Sequence, residues 1–200
     1  LNFKPGKIEV VLKLRGRGVR ELTHRRLDFT ESPARFHYQL GHTVRVVQLY
    51  KHLGVLTTAS GSMSPEMRHR ASDARIAFRS MQAQVFTQPL LPIPLRLSLL
   101  SSMVLTKLLY AAGTWPDLSR ADYTTLNAAY MKPVRLIAGF SPGEGPDDLQ
   151  LRRSLGQPSL AHLIRVARLL YAARVAQSGP LLLQALAQTR DRRRSPVKWI

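Results

Sequence analysis

Short runs of alternating apolar and polar residues fill the first third of the chain. In KIEVVLKLRGRG the even-numbered positions from Ile8 to Leu14 are apolar, which is the period of a half-buried strand, and glycines follow. RFHYQL and VRVVQLYKHLGVLTT are rich in β-branched and aromatic residues, so each predicts a further strand. Residues 20–35 form a polar connection with room for a short helix. A small antiparallel sheet is therefore predicted over residues 7–58.

From Gly61 onward the apolar positions recur at the spacing of helices. Ser64 suits an N-cap and Pro65 the first helical position, and one apolar stripe then runs from Met67 to Val85. LRLSLLSSMVLTKLLYAAGTW, which follows three prolines, is apolar on most faces and is typical of the central helix of a bundle. Residues 119–139 predict another helix, capped by Ser119 or Asp122 and kinked or interrupted at Pro133.

The last part of the chain also has helical periodicity. SPGEGPDD is a linker in which Asp147 or Asp148 caps a short helix. QPSLAHLIRVARLLYAARVAQSG predicts a long helix with Leu170 among its inward-facing residues, and residues 181–188 predict a final one. With the sheet before them, these helices predict an α+β fold.

Charge is the strongest compositional signal. The 200 residues carry 30 Lys and Arg against 12 Asp and Glu, a net charge of +18 that is spread along the whole chain. A polyanion is the natural partner of such a chain, so nucleic acid is the leading class and an anionic membrane surface the second. The absence of cysteine excludes a disulfide partner. The most apolar window, residues 97–106, is too short to cross a membrane. Of the two partner classes, nucleic acid is therefore the one predicted, with no membrane partner.

Motifs for a complete active site are missing from the sequence. No Gly-rich phosphate loop is present, and no metal site is predicted because the six histidines show no ligand spacing with a carboxylate on one face. Asp147 and Asp148 are the one adjacent acidic pair, and their neighbours indicate a helix cap. The chain begins without Met, which indicates a piece of something longer.

Four segments carry a resemblance to a known family. LNFKPGKIEVVLKLRG, followed by YKHLGV, resembles the end of the palm in reverse transcriptases of the non-LTR retrotransposon type. Leu1, Asn2, Lys7 and Glu9 match the family's Leu-Asn-x-x-Lys-Thr-Glu segment, with an inserted Pro-Gly and with Ile for Thr. LRLSLLSSMVLTKLLYAAGTW resembles its thumb helix, and LGQPSLAHLIRVARLLYAARVAQ is similar to its C-terminal helical region.

The resemblance implies three regions and one activity. Residues 1–60 correspond to the C-terminal part of the palm, residues 61–140 to a helical thumb, and residues 141–200 to a helical extension with a basic tail. The implied activity is that of an RNA-directed DNA polymerase, whose complete form uses Mg²⁺ held by aspartates. The family's aromatic-x-Asp-Asp segment does not occur in this sequence, so the chain is expected to grip a template–primer without extending it, and it needs no cofactor of its own. Lys7 is a candidate leaving-group lysine only in a longer protein.

Tyr50, Leu53 and Gly54 match the family's Tyr-x-x-Leu-Gly hairpin, which forms its primer grip. This primer-grip-like hairpin and the first long helix supply the candidate binding residues. Gly54 would let the backbone approach the phosphates of a primer terminus, and Lys51 and His52 would bind them. Tyr50 and Leu53 would anchor the hairpin from below. The alternative is an ordinary strand end with a glycine turn.

Three arginines on the first long helix, Arg68, Arg75 and Arg79, would follow the nucleic-acid backbone or form a solubilising face. Arg165, Arg168 and Arg174 on the long C-terminal helix are weaker candidates. Trp115 and Tyr110 are expected in the core.

Sequence alone therefore predicts a fragment of a retrotransposon reverse transcriptase that binds an RNA template–DNA primer duplex in an intracellular, nuclear location. The alternative is a non-enzymatic basic helical protein that binds RNA or DNA. A third hypothesis is a helical scaffold whose charge only keeps it in solution.

Overall fold

The computed structural model describes residues 9–30, 32–39, 42–141 and 143–188. The chain divides into two compact units, Leu1–Glu66 and Met67–Ile200. The first contains two small sheets and a short helix, and the second is helical. The predicted α+β class is confirmed, while Lys7 and the other matched residues before Glu9 lie outside the described residues.

A four-stranded sheet forms most of the first unit. Its elements are β1 (Glu9–Val10), α1 (Val19–Arg26), β2 (Leu27–Asp28), β3 (Arg35–Gln39) and β4 (His42–Val46), and the strand order is β1-β4-β3-β2. The β2–β3 and β3–β4 pairs are antiparallel, but β1 runs parallel to β4. The prediction of a purely antiparallel sheet is thus wrong at β1, because the chain crosses from β1 to β4 through α1 and the β2–β3 pair.

The first predicted strand is much shorter than its alternating pattern. The ladder ends at Val10, yet Val11, Leu12 and Leu14 beyond it remain half-buried. Alternation reports which side chains face the interior and does not reveal whether the backbone has a strand partner.

A separate two-stranded sheet completes the first unit. It consists of β5 (Leu49–His52) and β6 (Val55–Thr58), which pair antiparallel. The run VRVVQLYKHLGVLTT, predicted as one strand, is therefore divided among β4, β5 and β6. The division occurs at Val47–Gln48 and at Leu53–Gly54, where the backbone leaves the ladder.

Helices make up the described part of the second unit, and the first of them begins at Ser64, in the last residues of the first unit. They are α2 (Ser64–Met81), a π-helical segment (Gln82–Phe86), α3 (Ile93–Leu99), a second π-helical segment (Leu100–Leu105), α4 (Thr106–Leu108), a 3-10 turn (Ala112–Thr114), α5 (Arg120–Ile137), α6 (Asp148–Ser154), α7 (Leu160–Ser178) and α8 (Leu181–Gln188).

Side chains cap three of the helices, and the caps of α5 and α6 were predicted whereas that of α7 was not. The Ser119 hydroxyl accepts a hydrogen bond from Asp122 N at 3.1 Å and donates one to Asp122 Oδ2 at 2.7 Å. Asp147 caps α6 and Ser159 caps α7 in the same way. Helix α5 continues through Pro133, so the predicted interruption does not occur.

The core of this unit is built from the predicted apolar stripes. Trp115, Leu108, Leu126 and Tyr130 are among its fully buried side chains. The Tyr130 hydroxyl donates to Pro158 O at 2.9 Å, and burial raises the pKa of Tyr130 to about 12. The predicted core position of Trp115 is confirmed.

Close packing at Gly113 fixes the position of α7. A Cβ on Gly113 would lie 2.6 Å from Tyr171 Cβ and 2.9 Å from Ala167 O, so only glycine fits there. Helix α7 buries Leu160 and Ile164, whereas Leu170 is 63% exposed. The prediction that Leu170 faces inward is wrong, because the middle of α7 packs on the 3-10 turn through the Ala167 and Tyr171 side of the helix.

Candidate nucleic-acid interface

The segment from Tyr50 to Val55 forms a hairpin with a two-residue turn. Leu53 and Gly54 are its central residues, with φ of 47° and 82°. Positive φ at both positions is the pattern of type I′ turns, whose twist matches that of the flanking strands. Glycine adopts this conformation readily, while leucine does so at a cost of about 1–2 kcal/mol. The predicted hairpin is confirmed.

Residues on the two faces of this hairpin differ in character. Tyr50 and His52 lie on one face, where their rings stack with centroids 6.1 Å apart. Lys51 lies between them in sequence and therefore on the opposite face, where it is paired with Leu56. A ligand on the aromatic face thus meets Tyr50 and His52 together, and Lys51 acts from the other side or at the edge.

Leu53 does not anchor the hairpin. It is 78% exposed, because a residue in the turn projects beyond the last strand pair, so this prediction is wrong. The anchor is a carboxylate: Glu66 is completely buried and accepts a hydrogen bond from Leu56 N at 2.7 Å.

Three predicted arginines lie on α2 with exposed side chains. Arg68, Arg75 and Arg79 are seven and four positions apart, which places them on one side of the helix. Arg75 uses its Nε to donate to Ala71 O at 3.0 Å.

A fourth arginine of α2 has a different role. Arg70 is only 5% exposed, lies 4.7 Å above the ring of Tyr110, and contacts Asp73 at 3.6 Å. Tyr110 is itself 46% exposed, so its predicted core position is wrong. Its ring covers the buried guanidinium, a cation–π contact that accounts for an aromatic side chain at the surface.

Helices α2 and α5 enclose a basic cleft of about 540 Å³. Arg75 and Arg79 contribute to it from α2, and Lys132 contributes from α5. The described residues that line it include no acidic side chain, and they are Arg75, Phe78, Arg79, Gln82, Thr125, Ala128, Ala129, Lys132, Pro133 and Leu136. Three positive charges therefore converge on one concave surface, an arrangement suited to anions.

Lys132 was not among the binding residues predicted from the sequence. Its spacing from Thr125, Ala128 and Leu136 places these four residues on one side of α5, and that pattern is visible in the sequence. The sequence gives no indication that this side faces α2, because nothing in either helix specifies the other as its neighbour. The cleft is consequently a result of tertiary packing.

The arginines of α7 are not equivalent. Arg168 donates to Trp115 O at 3.2 Å and Pro116 O at 2.8 Å, and it contacts Asp117 at 3.5 Å. It thereby ties α7 to the loop after the 3-10 turn. Arg165 and Arg174 are exposed, in agreement with a solvent-facing basic side of this helix.

Metal ligands do not cluster in the part of the chain that the structure describes: no group of three His, Asp or Glu residues could hold an ion. His69 and Asp73 do share one face of α2, with Nε2 and Oδ2 3.6 Å apart, contrary to the sequence analysis, but they form only a pair. Within the described residues, no helix is long and apolar enough to cross a membrane.

Comparison with known proteins gave no match among family models, curated proteins or solved structures.

Proposed function

We propose that this chain binds a nucleic-acid template–primer as the end of the palm and the thumb of a retrotransposon reverse transcriptase. The observation that carries the proposal is the hairpin: the YKHLGV segment that resembles the family's primer grip folds into two strands around a Leu53–Gly54 turn. A narrow turn with glycine at its second position lets a phosphate approach the backbone closely.

The charges of the second unit support the same function. Arg75, Arg79 and Lys132 present cations at a surface where the described residues place no carboxylate. Contacts between such cations and phosphates give affinity and orientation without reading a base sequence. This matches a thumb, which must follow a duplex of any sequence, and a nuclear location belongs to the same proposal.

A non-enzymatic basic protein that binds RNA or DNA is the second candidate. The cleft favours it, because α2 and α5 would hold phosphates equally well without any contribution from the hairpin. The two functions differ in whether the end of a primer matters.

Two duplexes separate these functions. One is an RNA–DNA heteroduplex with a recessed DNA 3′ end, and the other is blunt and of equal paired length. We expect Gly54→Asn to weaken binding of the recessed duplex about tenfold and to leave the blunt duplex within twofold, because the side chain blocks phosphate approach while asparagine tolerates the φ of 82° at the turn. Thr43→Asn, at an exposed position of β4 outside the hairpin, is the matched control. Equal losses on both duplexes would contradict a primer-grip role, and circular dichroism of each variant would show that the fold is retained.

A further inference from the structure

We propose that the cleft between α2 and α5 holds one nucleotide of an unpaired strand, with its phosphate on Arg75, Arg79 and Lys132. This inference rests on the proposed function in that it assumes a nucleic-acid partner, but it concerns a different form of that partner. The thumb arginines were expected to follow a duplex, whereas the shape of the cleft favours a single strand.

The cations of the cleft are available to a phosphate. Arg75 donates its Nε to Ala71 O, which orients the guanidinium along the helix. In the described part of the chain, neither Arg79 nor Lys132 has a hydrogen-bond or ion-pair partner. Charge-assisted hydrogen bonds from such groups to phosphate oxygens are among the strong ones in proteins, and arginine can make two at once.

The walls between these cations are apolar. Phe78, Ala128, Ala129, Pro133 and Leu136 make up half of the ten lining residues. A duplex presents its phosphates outward and keeps its base faces stacked inside, so it offers these walls little apolar surface. An unpaired nucleotide exposes its base and sugar, and sites for single strands combine a basic groove with apolar contacts to bases.

The volume of the cleft agrees with this occupant. Its 540 Å³ lies within the roughly 300–1,000 Å³ that small-ligand sites span, which is enough for one nucleotide unit. Gln82 and Thr125 also line the cleft and supply neutral hydrogen-bonding groups for a base or sugar. Phe78 stacks on Phe86 inside the core, with ring centroids 4.8 Å apart, so it holds the cleft wall in place.

Two variants test the cleft, each with a matched control. Ala128→Phe fills the cleft without changing charge, and Ala173→Phe makes the same change at an exposed position of α7. Lys132→Ala removes a cleft cation, and Lys107→Ala removes an exposed lysine of α4 that does not line it. Affinities are measured by fluorescence anisotropy for a labelled eight-nucleotide RNA, the same sequence as DNA, and a blunt heteroduplex.

We expect both cleft variants to weaken binding of the single strands about fivefold or more, and both controls to change it less than twofold. Ala128→Phe should leave the blunt duplex within twofold. Loss for RNA alone would identify an RNA strand as the occupant, and equal loss for both would identify the shared sugar–phosphate chemistry. Single-strand affinities that do not differ between each cleft variant and its control would overturn the inference.

The same measurements separate this inference from the proposed function. Duplex binding without an effect of the cleft variants on single strands leaves the proposed function and removes the cleft site. Single-strand binding that depends on the cleft, without duplex binding, would support the cleft site and contradict the proposed function. Displacement of the oligonucleotides by polyglutamate at equal charge concentration would show a general anion site and would also overturn the inference.

Discussion

Replacing Gly113 with alanine should destabilise the packing of α7 on the 3-10 turn. The new methyl group would lie 2.6 Å from Tyr171 Cβ and 2.9 Å from Ala167 O, both closer than real Cβ contacts. These atoms belong to the backbone of α7 and to the first carbon of its side chain, so a rotamer change cannot relieve the overlap. Overpacking of this kind costs about 1–3 kcal/mol, and the lower entropy of unfolded alanine returns about 0.4–1 kcal/mol. The expected net loss of stability is about 1–2 kcal/mol.

Urea unfolding followed by tryptophan fluorescence measures this loss, because Trp115 is buried beside the turn. A Trp199→Phe background makes Trp115 the only reporter. Ala111→Gly is the matched control: Ala111 has a φ of 60°, so glycine relieves its backbone at a similar entropic cost, and stability should change by less than about 0.5 kcal/mol. A Gly113→Ala midpoint equal to that of the parent would refute the packing described here.

Three other predictions concern single side chains. Leu53→Asn should stabilise the hairpin by about 0.5–1 kcal/mol in urea unfolding, because asparagine tolerates positive φ and the 78% exposed leucine buries little; a destabilised variant would contradict this. Ser119→Ala should lower the free energy of unfolding by about 1 kcal/mol in thermal unfolding, because α5 loses its cap. An unchanged free energy would contradict the role of this cap. The pKa of Tyr130 rises from 10.0 to about 12, so the unfolded chain releases this proton first and the free energy of unfolding should fall by about 2 kcal/mol between pH 10 and 12. Tyr130→Phe should lack that part of the fall, and a variant with the same pH profile as the parent would contradict the assignment.

Local sequence signals were sufficient to locate the helices along the chain and the caps of α5 and α6, but not the cap of α7 or the continuity of α5 at Pro133. Ser119, Asp147 and Ser159 cap helices because their short polar side chains reach the free backbone N–H groups two or three residues ahead. The apolar stripe of α2 is buried at Met67, Ala71 and other positions as its period requires. These signals act between residues that are close together in the chain, so they can be recognised in the sequence.

Features that depend on distant partners were not predictable in the same way. The parallel pairing of β1 with β4 joins Glu9 to Arg45, and no local pattern specifies that neighbour. Buried Arg70 is tolerated because Tyr110 covers it, although the two residues are forty positions apart along the chain. Lys132 joins Arg75 and Arg79 only because α5 packs near α2. The hairpin was predictable from YKHLGV, but the exposure of Leu53 followed from the two-residue length of its turn.

The salt dependence of heteroduplex affinity tests the central proposal most directly. Each phosphate neutralised by the chain releases counterions, which lowers the logarithm of the affinity by about 0.9 per logarithmic unit of salt. With at least three phosphates neutralised by the chain, the slope should be about −2.7 or steeper for a recessed RNA–DNA duplex measured between 50 and 300 mM salt. A flat salt response, or no binding at the lowest salt, would contradict nucleic-acid binding and leave the charge of this chain as a means of staying in solution.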